Sequence, residues 1–177
     1  MADEKELLTP SEGVKKIIMV RKLADEAKED AKRLSLQTTH SITSESKANE
    51  TTTKDGVINV FDQTTTSMDL EFIGSDDPLY DILKDASYDK EKLELWEIDF
   101  NLATTDKKYK AYYMRGTVSS FEEDNDADGF STTKVEFTVD GKPQRGTVEL
   151  ENDVVSDIQY AFRDTKKVAP EAKTASK

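Results

Sequence analysis

Apolar and polar residues alternate along much of the chain, and this period of two predicts a protein built mainly of β-strands. The alternation is strongest at 93–101, where one face would carry Leu93, Leu95, Glu97 and Asp99 and the other Glu94, Trp96, Ile98 and Phe100. Other runs predict strands at 14–20, 33–42, 57–61, 66–73, 109–121, 132–139 and 146–150. We therefore expect about eight strands, folded as a β-sandwich or a partly closed barrel.

A helical pattern interrupts the strands at 78–87. Asp77 is a residue type that caps helix N-termini, and Pro78 suits the first helical position. Apolar residues then recur at intervals of three and four, namely Leu79, Ile82, Leu83 and Ala86. We expect one helix here, packed on the flank of the sheet. A second pattern at 152–162 fits either a short helix or a strand.

The segment 43–55 contains one alanine and no larger apolar residue. It predicts a long polar loop that closes on the turn-forming pair Asp55-Gly56. A loop of this length is usually functional or disordered, and its composition suits ordering on contact with a partner. A second pair, Asp140-Gly141, lies between two β-rich runs and predicts a hairpin.

Composition narrows the classes of function. The chain has 177 residues, of which 35% are apolar, and this fits one domain with a modest core. A net charge of −12 argues against a surface that holds nucleic acid by neutralising phosphates. The chain has no cysteine and one histidine, which excludes disulfides, thiolate metal sites and multi-histidine metal sites. The acidic N-terminus lacks the apolar core of a signal peptide, so we expect a soluble cytosolic product.

Residues 124–129, DNDADG, match the start of an EF-hand calcium loop. The position that needs a bidentate glutamate is Val135, however, and the flanking runs predict strands rather than helices. An acidic β-turn fits these features better, and we expect no metal and no cofactor. The alternative is a weak calcium site, whose ligands would be Asp124, Asp126 and Asp128.

No residue pattern indicates an enzyme, and we expect no catalytic residues. With 37 acidic residues, carboxylate pairs such as Glu97 and Asp99 are expected by chance. The chain also lacks a nucleophile elbow, a Walker A loop and a dinucleotide-binding glycine motif. His40 lies at the end of an alternating run, and we interpret it as structural or solvent-facing.

The aromatic residues have a similarly plain interpretation. Trp96 fits a core anchor. Tyr109, Tyr112 and Tyr113 lie near several basic residues, an arrangement that can stack nucleic-acid bases. The strong negative charge of the whole chain disfavours that role, and a long two-faced strand explains the same residues.

In their order and spacing, several segments resemble major tail proteins, the tail-tube subunits of long non-contractile phage tails. The likeness is to the type found in temperate phages of lactic-acid and related Gram-positive bacteria. The segments are GVKKIIMVRKL at 13–23, LQTTHSITSESKANETTTKDGVINV at 36–60, LELWEIDFN at 93–101, and the stretch 109–150 with YKAYYMRGTVSSFEEDNDADGF and KVEFTVDGKPQRGTVEL. They span roughly residues 13–165, and none is a catalytic signature.

The resemblance implies a β-sandwich-like subunit with a helix on its flank, six of which form a ring around a continuous inner β-barrel. Rings would stack into a tube around a tape-measure protein, and DNA would later pass through the lumen without specific binding. Tail-tip and terminator proteins would be further partners. The location would be the virion tail, assembled in the host bacterial cytoplasm, with no membrane insertion and no active site.

The composition of the two ends and the extent of the resemblance together divide the chain, with both ends outside the match. Residues 1–12 would be a flexible N-terminal arm, 13–165 the tail-tube β domain, and 166–177 a flexible C-terminal tail. The loop 43–55 would reach the next ring. Its charged contact residues would be Glu45, Lys47, Glu50 and Lys54.

Two other classes of protein fit the same sequence. One is the tube protein of a related phage-like injection or secretion device. The other is a monomeric acidic calcium-binding β-module. Electron microscopy separates them, because rings or tubes indicate a tube protein and a dispersed monomer indicates the module.

Overall fold

The computed structural model describes residues 10–103 and 108–150, and these form a mainly β protein with one α-helix. In chain order the elements are β1 Lys16–Lys22, β2 Lys32–Arg33, β3 Gln37–Glu45, β4 Ala48–Thr53, β5 Gly56–Phe61, β6 Thr65–Ile73, α1 Pro78–Asp89, β7 Leu93–Ala103, β8 Tyr109–Asp124, β9 Thr132–Val139 and β10 Gln144–Val148. One antiparallel sheet has the order β2-β1-β7-β8-β9-β6-β3, with β10 also paired to β8. Strands β4 and β5 pair only with each other.

The helix α1 confirms the predicted N-terminal signals. The Asp77 side chain accepts a hydrogen bond from the Leu79 backbone N–H at 2.9 Å, and Pro78 occupies the first turn. The helix runs to Asp89, two residues beyond the predicted end, and stops at Lys90 in the left-handed conformation. Its apolar face packs on the sheet through Leu79, Leu83 and Ala86, all buried.

The predicted strand at 93–101 is confirmed as β7, which lies between two apolar clusters on opposite faces of the sheet. Leu93 and Leu95 belong to the larger cluster, which lies under the helix and includes Phe137. Ile98 and Phe100 belong to a smaller cluster on the other face. Both faces of this central strand are therefore buried, and the larger cluster is the main core.

The pair Asp140-Gly141 does not form the predicted hairpin. Val139 pairs with Gly116 of β8, and Gln144 pairs with Tyr113 of the same strand. Strands β9 and β10 therefore follow one another along the same edge of β8 without reversing direction. Gly141, at φ 77°, allows the kink between them.

The large sheet curls, so that β3 at one edge lies over β1 and β7. The Leu34 N–H donates to the Ile18 carbonyl at 3.0 Å, and the Ile18 N–H donates to Gln37 Oε1 at 3.3 Å. Among the described residues, no strand ladder joins β3 to β1 or β2, so the curled sheet stays open. The expected mainly β fold with one flanking helix is confirmed.

The expectation of a long polar loop at 43–55 was wrong. Strand β3 extends to Glu45, and 48–61 forms a two-stranded hairpin whose turn residues are Lys54 and Asp55, with Gly56 paired to Thr53. Threonine-rich segments readily form strands. Every residue of β4 and β5 is exposed, so neither face of the hairpin is buried. The polar residues of this segment therefore show no apolar-polar alternation.

The predicted pattern at 152–162 and the C-terminal tail 166–177 lie outside the described residues, as does most of the predicted N-terminal arm. No helix among the described residues is long and apolar enough to cross a membrane.

Candidate functional site

The β4–β5 hairpin, residues 48–61, is an arm that projects from the sheet. Its base is fixed where the Asp62 N–H donates to the Lys47 carbonyl at 2.8 Å and Asn49 Nδ2 donates to Asp62 Oδ1 at 2.8 Å. Beyond the base, β4 and β5 hydrogen-bond only to each other among the described residues. An isolated two-stranded hairpin is marginally stable in water, so this arm gains from a partner that covers it.

Strand β5 carries an unusual set of exposed apolar side chains. They lie on both faces of the strand and are more than half exposed: Val57 54%, Ile58 55%, Val60 58% and Phe61 68%. Contiguous apolar surface of this kind marks interaction sites in soluble proteins. The sequence predicted a strand at 57–61 but not its exposure, because a short apolar run is equally typical of a buried strand.

The four charged residues predicted to make contacts all lie on or beside the arm. Glu45 ends β3, Lys47 lies in the connection to β4, Glu50 is on β4 and Lys54 is in the turn. All four are exposed, and none forms an ion pair with another described residue. The structure therefore brings them to one projecting element together with the apolar strand β5.

A second candidate surface is a half-open groove of about 1470 Å³ between β3, β1 and the segment 141–145. Its lining includes His40, Glu97 and Tyr112 and three basic residues, Arg33, Lys142 and Arg145. The curl of the sheet creates this groove, because it places β3 opposite β1 and β7.

A hydrogen-bonded chain lies in the lining of the groove. The Ile18 N–H donates to Gln37 Oε1, which turns the Gln37 amide nitrogen toward His40 Nδ1. Because Nδ1 accepts from Gln37, the His40 proton lies on Nε2, which donates to Glu97 Oε1 at 3.1 Å. The hydrogen bond from His40 lowers the pKa of Glu97, and nearby Lys16, at 3.7 Å, acts in the same direction against the effect of burial.

His40 is therefore structural, one of the two roles expected from the sequence. Its side chain is only 10% exposed, as is that of Glu97. It joins β3 to β7 where the curl of the sheet brings the two strands together.

The tyrosines do not form one nucleic-acid strip. Tyr113 lies beside Trp96, with ring centroids 5.3 Å apart, and its hydroxyl donates to Glu94 Oε1 at 2.7 Å. Burial and this hydrogen bond raise the pKa of Tyr113 to about 12. Tyr112 points to the other face, into the groove, while Tyr109 packs on Phe100. The aromatic side chains are thus divided between two faces.

Trp96 is half-buried at the edge of the smaller apolar cluster, whereas the sequence predicted a core anchor. The Arg21 guanidinium lies 5.2 Å from its ring centroid. Arg21 also forms a salt bridge to Glu94 at 2.7 Å, so the tryptophan sits in a polar cluster rather than in the main core.

The acidic segment 124–129 lies in the connection between β8 and β9. Asp124 Oδ2 accepts from Lys134 Nζ at 2.8 Å and raises the pKa of that lysine. Asp126 and Asp128 are exposed. In the part of the chain that the structure describes, no group of three or more histidine, aspartate or glutamate side chains is arranged to hold a metal ion.

Comparisons with known proteins identify one family, the phage tail tube proteins. The sequence model described as "Phage tail tube protein" matches residues 10–145. A putative tail protein of Staphylococcus phage phiMR25 is 29% identical over 161 residues, which cover 86% of this chain and 81% of that protein.

Solved structures show the same fold at low sequence identity. The SPP1 tail tube matches with a TM-score of 0.68 and 18% identity, over 92% of this chain and 96% of the other. The tail of an empty gene transfer agent particle, refined with C6 symmetry, matches with a TM-score of 0.59 and 10% identity, over 76% and 98%. The sheath-tube complex of an extracellular contractile injection system matches with a TM-score of 0.52 and 13% identity, over 78% and 93%.

Proposed function

Because the chain belongs to the phage tail tube protein family, we propose that its copies assemble into rings that stack to form the tail tube of a virion. A tube built this way serves as the conduit through which DNA leaves the particle. Six copies per ring is the multiplicity we propose, and the gene transfer agent tail with C6 symmetry supports it.

The exposed β4–β5 arm carries this proposal. A monomer would leave Val57, Ile58, Val60 and Phe61 in water, on a hairpin that lacks a core of its own. Burying these side chains against a neighbouring copy would remove that cost, at about 25 cal/mol per Å² of apolar surface. We propose that the arm contacts the next copy through β5, with Glu45, Lys47, Glu50 and Lys54 as charged contacts at its margin.

The charge of the chain fits a conduit that DNA passes without binding. A net charge of −12 per copy repels phosphates when it is repeated around a ring. The proposed partners are other copies of the chain, a tape-measure protein inside the tube, and tail-tip and terminator proteins at its ends. We also propose that the tube assembles in the host cytoplasm and does not insert into a membrane.

A tube protein of a phage-like injection device is the second candidate, because the injection-system tube has the same fold. The family match and the phage relative favour the phage tail. The genes beside this one separate the two, since a contractile sheath gene would indicate the injection device.

Sedimentation and light scattering of the purified protein test assembly, alone and after seeding with the tail-tip complex. We expect large particles in at least the seeded sample. A protein that stays monomeric in both samples contradicts the proposal and favours the monomeric β-module.

A further inference from the structure

The groove carries three basic side chains that have no acidic partner among the described residues. Lys142 and Arg145 line it and are exposed, and Arg145 lies over the Tyr112 ring at 5.6 Å. Arg33 lines the groove with a buried Nε that has no hydrogen-bond partner. Lys16, in contrast, already faces Glu97 and Asp99. In a chain of net charge −12, this is a local surplus of positive charge.

The end of β8 and its connection to β9 carry a matching surplus of negative charge. We call residues 122–130 the acidic turn. Within it, Glu123 pairs with Lys84 and Asp124 pairs with Lys134. Glu122 stands opposite Lys134 in the β8–β9 ladder and interacts with its charge, which leaves two exposed carboxylates without a basic partner within the described ranges: Asp126 and Asp128. Next to them, Phe130 is 81% exposed, which is rare for a phenylalanine without a partner.

The acidic turn does not fill the groove of its own copy. The groove is lined by Tyr112 of β8, and none of residues 119–131 lines it. Glu122 lines a smaller cavity that it shares with Thr39, His40 and Ser41 of the groove, whereas Asp126, Asp128 and Phe130 line neither cavity. The tip of the acidic turn, residues 126–130, thus lies outside the groove of its own copy and remains available to another copy.

We propose that the acidic turn of one copy docks in the groove of a second copy. The unpaired carboxylates Asp126 and Asp128 would meet the basic side chains of the groove, and Phe130 would contact its apolar part. That part is formed by Ile17, Leu36 and Pro143. The inference deepens the proposed function, since it names one contact of the assembly.

The contact joins two different patches, so it is heterologous and repeats from copy to copy. Such a contact generates closed rings or continuous fibres, as a tube requires. Individual exposed ion pairs are weak and screened by salt, but the same contact repeated along a tube adds up. Assembly should therefore weaken as ionic strength rises.

Charge reversal tests this contact with two complementary variants. The turn variant is D126K/D128K and the groove variant is K142E/R145E. All four residues are exposed, so both variants should melt within a few degrees of the wild-type protein. Under conditions in which the wild type assembles, we expect each variant alone to lose at least tenfold in assembled material.

Mixing the two variants is the decisive step of the test. The basic turn of the first variant fits the acidic groove of the second, and the unchanged turn of the second fits the unchanged groove of the first. An equimolar mixture should therefore assemble where neither variant does. Recovery in the mixture supports docking of turn in groove, and a mixture of folded variants that stays unassembled overturns it.

A matched control excludes a simple effect of net charge. Asp30 and Asp76 are exposed, lie outside both surfaces and form no ion pair with another described residue. D30K/D76K changes the charge as much as the turn variant does and should assemble normally. Equal loss in this control contradicts a specific contact.

The acidic N-terminal residues Asp3, Glu4 and Glu6 are another possible occupant of the groove. If deletion of residues 1–8 abolishes assembly while the turn variant assembles normally, the N-terminal segment is the occupant and the proposal is wrong. If the wild type itself never assembles, even when seeded, the proposed function fails instead.

Discussion

His40 on β3 and Glu97 on β7 are hydrogen-bonded in the wall of the groove, with Nε2 3.1 Å from Oε1, although 57 positions separate them in the chain. This contact ties one edge of the curled sheet to its centre. It involves the sole histidine of the chain and a carboxylate whose pKa is held below its usual value of 4.5.

The lowered pKa of Glu97 predicts a specific response to acid. The unfolded chain takes up this proton at a higher pH than the folded chain does, so the stabilising contribution is complete above about pH 4.5 and is lost as pH falls through the folded value. The free energy of unfolding of E97Q should therefore fall less on acidification than that of the wild type. Urea titrations at neutral and acidic pH measure this. An identical loss in both proteins contradicts the role of Glu97.

Removing the histidine should destabilise the protein and weaken the same pH dependence. H40A leaves the buried Glu97 carboxylate without its main donor, at a cost of about 1–3 kcal/mol. Because His40 is the main cause of the lowered pKa, H40A should also respond less to acid than the wild type. The free energy of unfolding of H40A/E97Q, compared with those of the two single variants, gives the coupling energy between the residues. A coupling energy near zero would contradict a direct interaction between them.

Glycine at position 116 is required by close packing between β8 and β9. A Cβ at this position would lie 1.9 Å from the Thr138 carbonyl oxygen, so G116A must separate the two strands. We expect a loss of about 1–3 kcal/mol or more in the free energy of unfolding. At Gly146 a Cβ meets nothing within 4 Å, and G146A is the matched control. Equal stability of the two variants would contradict the packing of β8 against β9.

The phenol of Tyr113 should titrate at a higher pH than an ordinary tyrosine phenol. Its pKa is raised to about 12 by burial and by its hydrogen bond to Glu94. An ultraviolet titration of the folded protein should show one late phenolate step that disappears in Y113F. A late step that persists in Y113F would show that Tyr113 is not its source.

Calcium is not expected to bind the segment 124–129. Asp124 is engaged by Lys134, and Val135 stands where the loop would need a carboxylate. Calorimetry with calcium should therefore give no micromolar binding. Micromolar binding that D126A abolishes would instead establish a site.

Local signals in the sequence were sufficient for the helix and for the central strands. Asp77-Pro78 marks the start of α1, and 93–101 alternates because its two faces are buried in different clusters. The arm was mistaken for a loop because its polar strand β4 has no buried face to produce alternation. Asp140-Gly141 has the composition of a hairpin turn, but pairing of both flanking strands with β8 determines the path.

The groove and its contacts depend on tertiary structure that no local pattern encodes. The sheet must curl before His40 can reach Glu97, and the unpaired state of Arg33, Lys142 and Arg145 appears only when their surroundings are known. The exposure of Val57 and Phe61 likewise follows from the projection of the arm, since the same residues would suit a buried strand.

The central claim is that copies of the chain form a tube through the β4–β5 arm, and electron microscopy of the protein with and without the arm tests it most directly. The Asp62 N–H lies 2.8 Å from the Lys47 carbonyl, so a short Gly-Ser linker can replace residues 48–61 without straining the base. Circular dichroism should show the rest of the fold intact. The control E50Q/K54Q removes two charges from the arm and keeps β5, so it separates the effect of these charges from that of the whole arm. The account predicts rings or tubes from the wild type and dispersed subunits from the folded variant without the arm. Tubes of normal length from that variant would contradict it.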